Sequence, residues 1–158
     1  MERQTTLEML QRSLDDLKRY VAETPNDALH WREGKEWSVH ETMAHLAEVE
    51  QNVYLVRIQQ VASDDKPTLR YFDEEAWHQA HYKPELAAAQ LLTDFAYARQ
   101  QMLDVLRSHA DWTRWGLHER QKKQMSLAYL AHSAVRHTWE HLDQMAKAVL
   151  AWELARQK

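Results

Sequence analysis

Residues 137–145 read His137-Thr138-Trp139-Glu140-His141-Leu142-Asp143-Gln144-Met145 and break an otherwise ordinary helical stripe. Outward from them, Leu127, Leu130, Ala134, His137, His141, Met145, Ala148 and Trp152 follow at steps of 3 or 4. That is the period of one buried helix face. Two inward positions therefore carry imidazole where a plain bundle helix would carry leucine or alanine. Side chains four apart share a face, with Cβ atoms about 5–6 Å from each other, so both rings can reach one ion. Gln144 lies one turn further along that face, whereas His132 falls off it.

The same periodicity recurs three more times. Leu7, Leu10, Leu14, Leu17 and Val21 predict a helix from about Thr5 to Ala22, stopped by Thr24-Pro25-Asn26-Asp27. Ser38 with Glu41 forms a capping-box signature and opens a second helix through Met43, Leu46, Val49, Val53 and Val56 to Val61. Asp64-Asp65-Lys66-Pro67 ends it, and Asp73 to His81 reads as a short helix. Pro84 is suited to a first turn, so a third long helix is expected from roughly Glu85 to His109, with a stripe of Leu91 or Leu92, Phe95, Arg99, Met102 and Leu106. Trp112 to Lys123 reads as irregular around Gly116, and Ser126 opens the last helix. Long amphipathic helices joined by connections of about 10–20 residues predict an all-α, antiparallel four-helix bundle. One domain is expected over residues 1–158.

Composition agrees. Two glycines and three prolines among 158 residues fall far below the roughly 12% usual for the pair, too few for the turns of a sandwich or barrel. The charge balance is 20 basic against 24 acidic, and the densest basic cluster is only Arg120, Lys122 and Lys123. Nucleic acid is therefore not an expected partner, since phosphate binding needs a positive field. Neither a membrane span nor the apolar core of a signal peptide is visible, so no membrane partner and a cytoplasmic location are expected. Cysteine is absent, which excludes disulfides, thiolate-ligated metals and a protein thiol nucleophile. Histidine runs the other way, at ten residues.

His45 lies at the edge of the second helix's apolar arc, beside Val49 and Val56. With His137 and His141 it would supply three neutral imidazoles, a ligand set that leaves positions open on zinc or a similar ion.

The order of motifs resembles the DinB/YfiT-like superfamily. Trp37-Ser38-Val39-His40-Glu41 followed by His45-Leu46-Ala47-Glu48-Val49-Glu50 is similar to its WSxxE…HLxxxE segment, and His137 to Met145 to its closing HxxxHxxQ(I/M) helix. Phe95 with Arg99, and Trp115-Gly116-Leu117-His118, occupy the places of its F…R and RxGxH elements. The chain departs from the family after His118, where Glu119 to Gln124 is glycine-free. The resemblance implies an up-down-down-up bundle that binds one divalent metal ion through His45, His137 and His141. Zinc or nickel is expected first, manganese or iron next. It also implies metal-dependent transferases of the bacillithiol and mycothiol type, which join a low-molecular-weight thiol to an electrophile. A stress-response role and a homodimer are further expectations.

Three readings of function stand at this point: a thiol S-transferase, a hydrolase using the same histidines, and a non-enzymatic helical interaction module. Glu48, one turn from His45, is the candidate catalytic base or supporting group. Glu50 lies nearly 140° around the helix from His45, at 100° per residue, which argues against a ligand role. Gln144 is expected to orient a ligand, and Tyr54, Arg57 and Arg99 are candidate substrate contacts. Most tryptophans are expected to seal bundle ends and loops, with the connections Trp31–Trp37 and Trp112–His118 shaping the pocket and Trp152 at a dimer surface.

Overall fold

The first long helix, α1 (Arg3–Glu23), buries Leu7, Leu10, Leu14, Leu17 and Val21 along the stripe that the sequence lays out. The structure, a computed structural model, describes residues 2–157. After a single turn, α2 (Asn26–Leu29), the second long helix starts at Ser38. The Ser38 hydroxyl accepts from the Glu41 amide at 3.1 Å, and the Ser38 amide donates to the Glu41 carboxylate at 2.9 Å. This reciprocal pair satisfies two of the amides that a helix start leaves open.

That second helix changes register halfway. It runs as α3 (Val39–Val49), a π-helical turn at Glu50–Tyr54, and α4 (Leu55–Ser63). A π turn closes i→i+5 hydrogen bonds and takes in extra chain, so the face beyond it rotates. Leu55, Ile58 and Val61 are buried, while Val56, expected inside, is 40% exposed.

The short helix α5 (Glu74–His81) is capped by the Asp73 carboxylate, which accepts from the Ala76 amide at 3.0 Å. The third long helix, α6 (Ala88–Ser108), starts beyond Pro84, contrary to the expectation. His40 Nε2 donates to the Leu86 carbonyl at 2.6 Å, which holds the segment after Pro84 against α3 in a non-helical path.

The stretch expected to be irregular, Trp112 to Lys123, contains a strand of a small sheet. β1 (Thr68–Leu69) pairs in parallel with β2 (Trp115–His118), which pairs antiparallel with β3 (Gln124–Ser126). A Cβ at Gly116 would meet Leu69 Cγ at 2.8 Å and the Pro67 carbonyl at 2.9 Å, so glycine permits this strand approach. In the turn before β3, Lys122 adopts φ of 54°, the left-handed conformation that usually favours glycine. The chain thus makes this turn without the family's glycine. The last helix, α7 (Leu127–Arg156), begins at Ser126, whose hydroxyl accepts from the Tyr129 amide at 3.1 Å.

The four long helices close a ring in which α1 packs on α6 and α7, and α3–α4 packs on the same two. Successive helices α1 and α3–α4 thus lie across the bundle from each other. Trp152, expected at a dimer surface, is 4% exposed within the chain, with the Arg156 guanidinium 4.3 Å from its ring. No helix among the described residues is long and apolar enough to cross a membrane.

The core is split into two apolar clusters. One contains Leu10, Val49, Val53, Ala98, Met102 and Ala134, the other Leu14, Leu46, Phe95 and Met145. Ser13, Glu50, Arg99 and Thr138 fall between them, all fully buried. Arg99 Nε donates to Glu50 Oε1, Nη1 to the Leu10 carbonyl (2.8 Å) and Ser13 Oγ (2.9 Å), and Nη2 to Thr138 Oγ1 (2.9 Å). Arg99 is therefore a tie between the four long helices, not a substrate contact. Breaking one partner of a buried ion pair costs about 3–5 kcal/mol. Arg99→Ala is expected to lose that much in urea unfolding, and Glu50→Leu/Arg99→Met to recover most of it. A loss under about 1 kcal/mol for Arg99→Ala, the usual scale of a surface pair, would refute the tie.

Candidate metal centre

α3 presents His45 and α7 presents His137 and His141 to the space between these two packed helices. One nitrogen from each lies within 4.8 Å of the other two. His45 is 5% and His137 8% exposed; His141 is partly buried. His137 Nε2 and His141 Nε2 are 3.2 Å apart. Zn–N bonds of 2.0–2.1 Å place tetrahedral ligand atoms about 3.3–3.4 Å apart, so this pair fits a shared ion with little movement. His141 Nδ1 donates to Gln144 Oε1 at 2.7 Å, which leaves the Nε2 lone pair free. Nδ1 of His45 and of His137 is sealed from solvent without a partner.

Burial fixes the charge state. It lowers the His45 pKa to about 3, helped by nearby His141 and His78, and the His137 pKa to about 2, helped by His141 and His45. Burial also lowers that of His141, against the Gln144 bond. Neutral imidazoles are the form a metal needs. The donor set therefore fits a divalent ion.

The three rings line a cleft of about 420 Å³ with Lys35, Glu36, Trp37, Glu74 and Gln144. The Trp31–Trp37 connection thus supplies one wall, as expected. The other is α5, where Trp112–His118 was expected; that segment is taken up in the sheet and the core, where His118 Nε2 lies 3.3 Å from Arg57 Nη2. Trp37 packs on His45 and His78, with ring centroids 5.1 and 4.5 Å away. Tyr54 lies 5.5 Å from the His137 ring, its hydroxyl 3.2 Å from Ser133 Oγ. Arg57 donates to the Arg70 carbonyl at 3.0 Å.

Glu48 does not join the convergent set of three histidines. Its Oε2 accepts from His78 Nδ1 at 3.1 Å, and with His45 these form a second convergent group within 4.8 Å. His78 and Glu74 were missed as site residues. Both lie on α5, in the Asp73–His81 stretch that the sequence marks as helical, and they sit four apart on one face of it. Glu74 Oε2 is 3.7 Å from His45 Nε2. Burial raises the Glu74 pKa, and Arg57 opposes that rise.

The sequence pattern of the DinB superfamily matches residues 9–145. No curated protein matches the chain in sequence. Among solved structures, YfiT from Bacillus subtilis, described as "a probable metal-dependent hydrolase with an unusual four-helix bundle topology", superposes with a TM-score of 0.85 at 19% identity, over 96% of this chain and 88% of its own. A mutant of a mycothiol-dependent maleylpyruvate isomerase superposes with a TM-score of 0.69 at 12% identity, over 92% of this chain and 61% of its own. At these identities the likeness carries the fold.

The lowered pKa values predict an acid limit for the metal-free protein. Below about pH 6.5 the unfolded chain takes up protons that His45 and His137 refuse until about pH 3 and 2. Stability is therefore complete above pH 6.5 and falls as pH drops, by up to about 1.4 kcal/mol per unit for each histidine. Urea unfolding of chelator-treated wild type between pH 7 and 5 is expected to show a steeper loss than His45→Asn/His137→Gln. Equal slopes would show that neither imidazole is held neutral.

Proposed function

This chain belongs to the DinB superfamily, and on that premise we propose that it is a divalent-metal-dependent enzyme joining a low-molecular-weight thiol to a small electrophile. One observation carries the reading: three neutral imidazoles, two buried and one partly buried, converge in a cleft that is open on one side. A structural zinc site usually closes with four protein ligands, so a three-histidine set favours chemistry over support. His45, His137 and His141 would hold the ion. When bound, it supplies Lewis acidity that makes a thiol or a water more acidic at neutral pH.

The protein's own residues then orient and enclose. Gln144 fixes the tautomer and direction of His141. Trp37 shields His45 from solvent. Three imidazoles suit zinc or nickel among the divalent ions. Because the chain has no cysteine, the thiol comes from solution and meets no competing protein thiol. The description of the isomerase as mycothiol-dependent supports a thiol cosubstrate. That of the Bacillus protein supports a second reading, hydrolysis by the same site.

Metal content after dialysis tests the ligands: about one ion per chain is expected for wild type, and a loss of 10-fold or more in affinity for His141→Ala. Equal occupancy would refute the assignment. A chromogenic chloronitroarene supplied with and without 2-mercaptoethanol separates the chemistries. Conjugation that requires both metal and thiol supports the transferase, and turnover with water alone supports the hydrolase. No metal-dependent reaction with either would leave a binding module.

A further inference from the structure

We propose that Glu74 completes the centre as its charge-compensating carboxylate, a role that rests on the three-histidine reading above. Three neutral imidazoles bring no charge to a divalent cation, and two unbalanced positive charges in a partly buried place are costly. The site therefore needs a nearby anion. Glu50 and Glu140 are paired with Arg99 and with Arg136 on the outer face of α7, and Glu48, held by His78 Nδ1, belongs to the second group, which shares only His45 with the first. Glu36, also in the cleft, sits on the exposed Trp31–Trp37 connection.

Glu74 is free of such ties. It makes no salt bridge to a lysine or arginine among the described residues; its Oε2 lies 3.7 Å from the neutral His45 Nε2, and it lines the same cleft as His137, His141 and Gln144. The convergent set that contains His137 and His141 is the histidines alone, so Glu74 acts from just outside the ligands. With its side chain 42% exposed, the carboxylate remains able to accept a hydrogen bond from a proton-bearing group held in the cleft, the O–H of water or the S–H of a thiol. Glu74 is thus a positioning residue that sets metal affinity and orients what binds beside the metal.

The test is competitive zinc titration of chelator-stripped full-length protein against a chromogenic chelator. Glu74→Gln is expected to bind zinc 10- to 100-fold more weakly than wild type, while the melting temperatures of the two metal-free proteins agree. Glu75→Gln removes the same charge from the next, exposed position of α5 and is expected to stay within twofold of wild type. Equal affinity of Glu74→Gln and wild type would overturn the role of Glu74 and leave the histidine reading standing. So would an equal loss in Glu75→Gln, which would indicate a general field, or a lower metal-free melting temperature for Glu74→Gln. Failure of wild type itself to bind zinc would overturn the histidine reading and this one together.

Discussion

The structure depends on one buried guanidinium. Arg99 occupies a level of the bundle where its charge is satisfied on every side, by Glu50, Ser13, Thr138 and the Leu10 carbonyl. Ridge-and-groove packing alone sets the angle between two helices loosely. A guanidinium with partners on α1, on the π turn and on α7 sets height and rotation as well. The apolar clusters above and below could slide past one another at modest cost, but the polar level allows one alignment. Such a layer trades stability for uniqueness.

The metal centre lies at the edge of that same level. Thr138, which accepts from Arg99, is next in sequence to His137. The π turn that carries Glu50 follows directly on the helix that carries His45. Locking Thr138 and Glu50 therefore locks the two backbones that present His45 and His137 to each other. This backbone lock matters because Nδ1 of both histidines lacks a protein partner that would orient the ring. Their neutrality follows from the same packing, since burial is the first cause of both lowered pKa values.

What could be read from residues alone divides by range of interaction. The stripes of α1, α6 and α7 and the caps at Ser38 and Ser126 are local and were legible. His137 and His141 declared themselves by replacing apolar residues on a stripe. His45 was legible as a candidate from the edge of its helix's apolar arc, and the order of motifs joined it to His137 and His141, because an edge position on one helix says nothing about which helix it faces. Glu74 and His78 were invisible as site residues, since α5 reaches the centre through tertiary docking. The sheet was missed because strands of two to four residues have no measurable period, and β1 finds β2 some fifty positions away. Arg99 was legible as a member of the inward stripe of α6 but not as a tie, since its partners come from three other segments.

The π turn at Glu50–Tyr54 also changes how this helix must be counted. Stepping from His45 by the α-helical repeat leads through Val49 to Asn52 and Val56, and Val56 faces solvent. The inward line passes instead through Val49, Val53 or Tyr54, Ile58 and Val61. An α-helical template laid on the chain drifts out of phase after residue 50, although every residue is aligned. Anyone adding a fourth ligand or reshaping the pocket from the π turn would therefore choose Tyr54, whose ring already lies against His137, and not Asn52, which regular helical arithmetic selects.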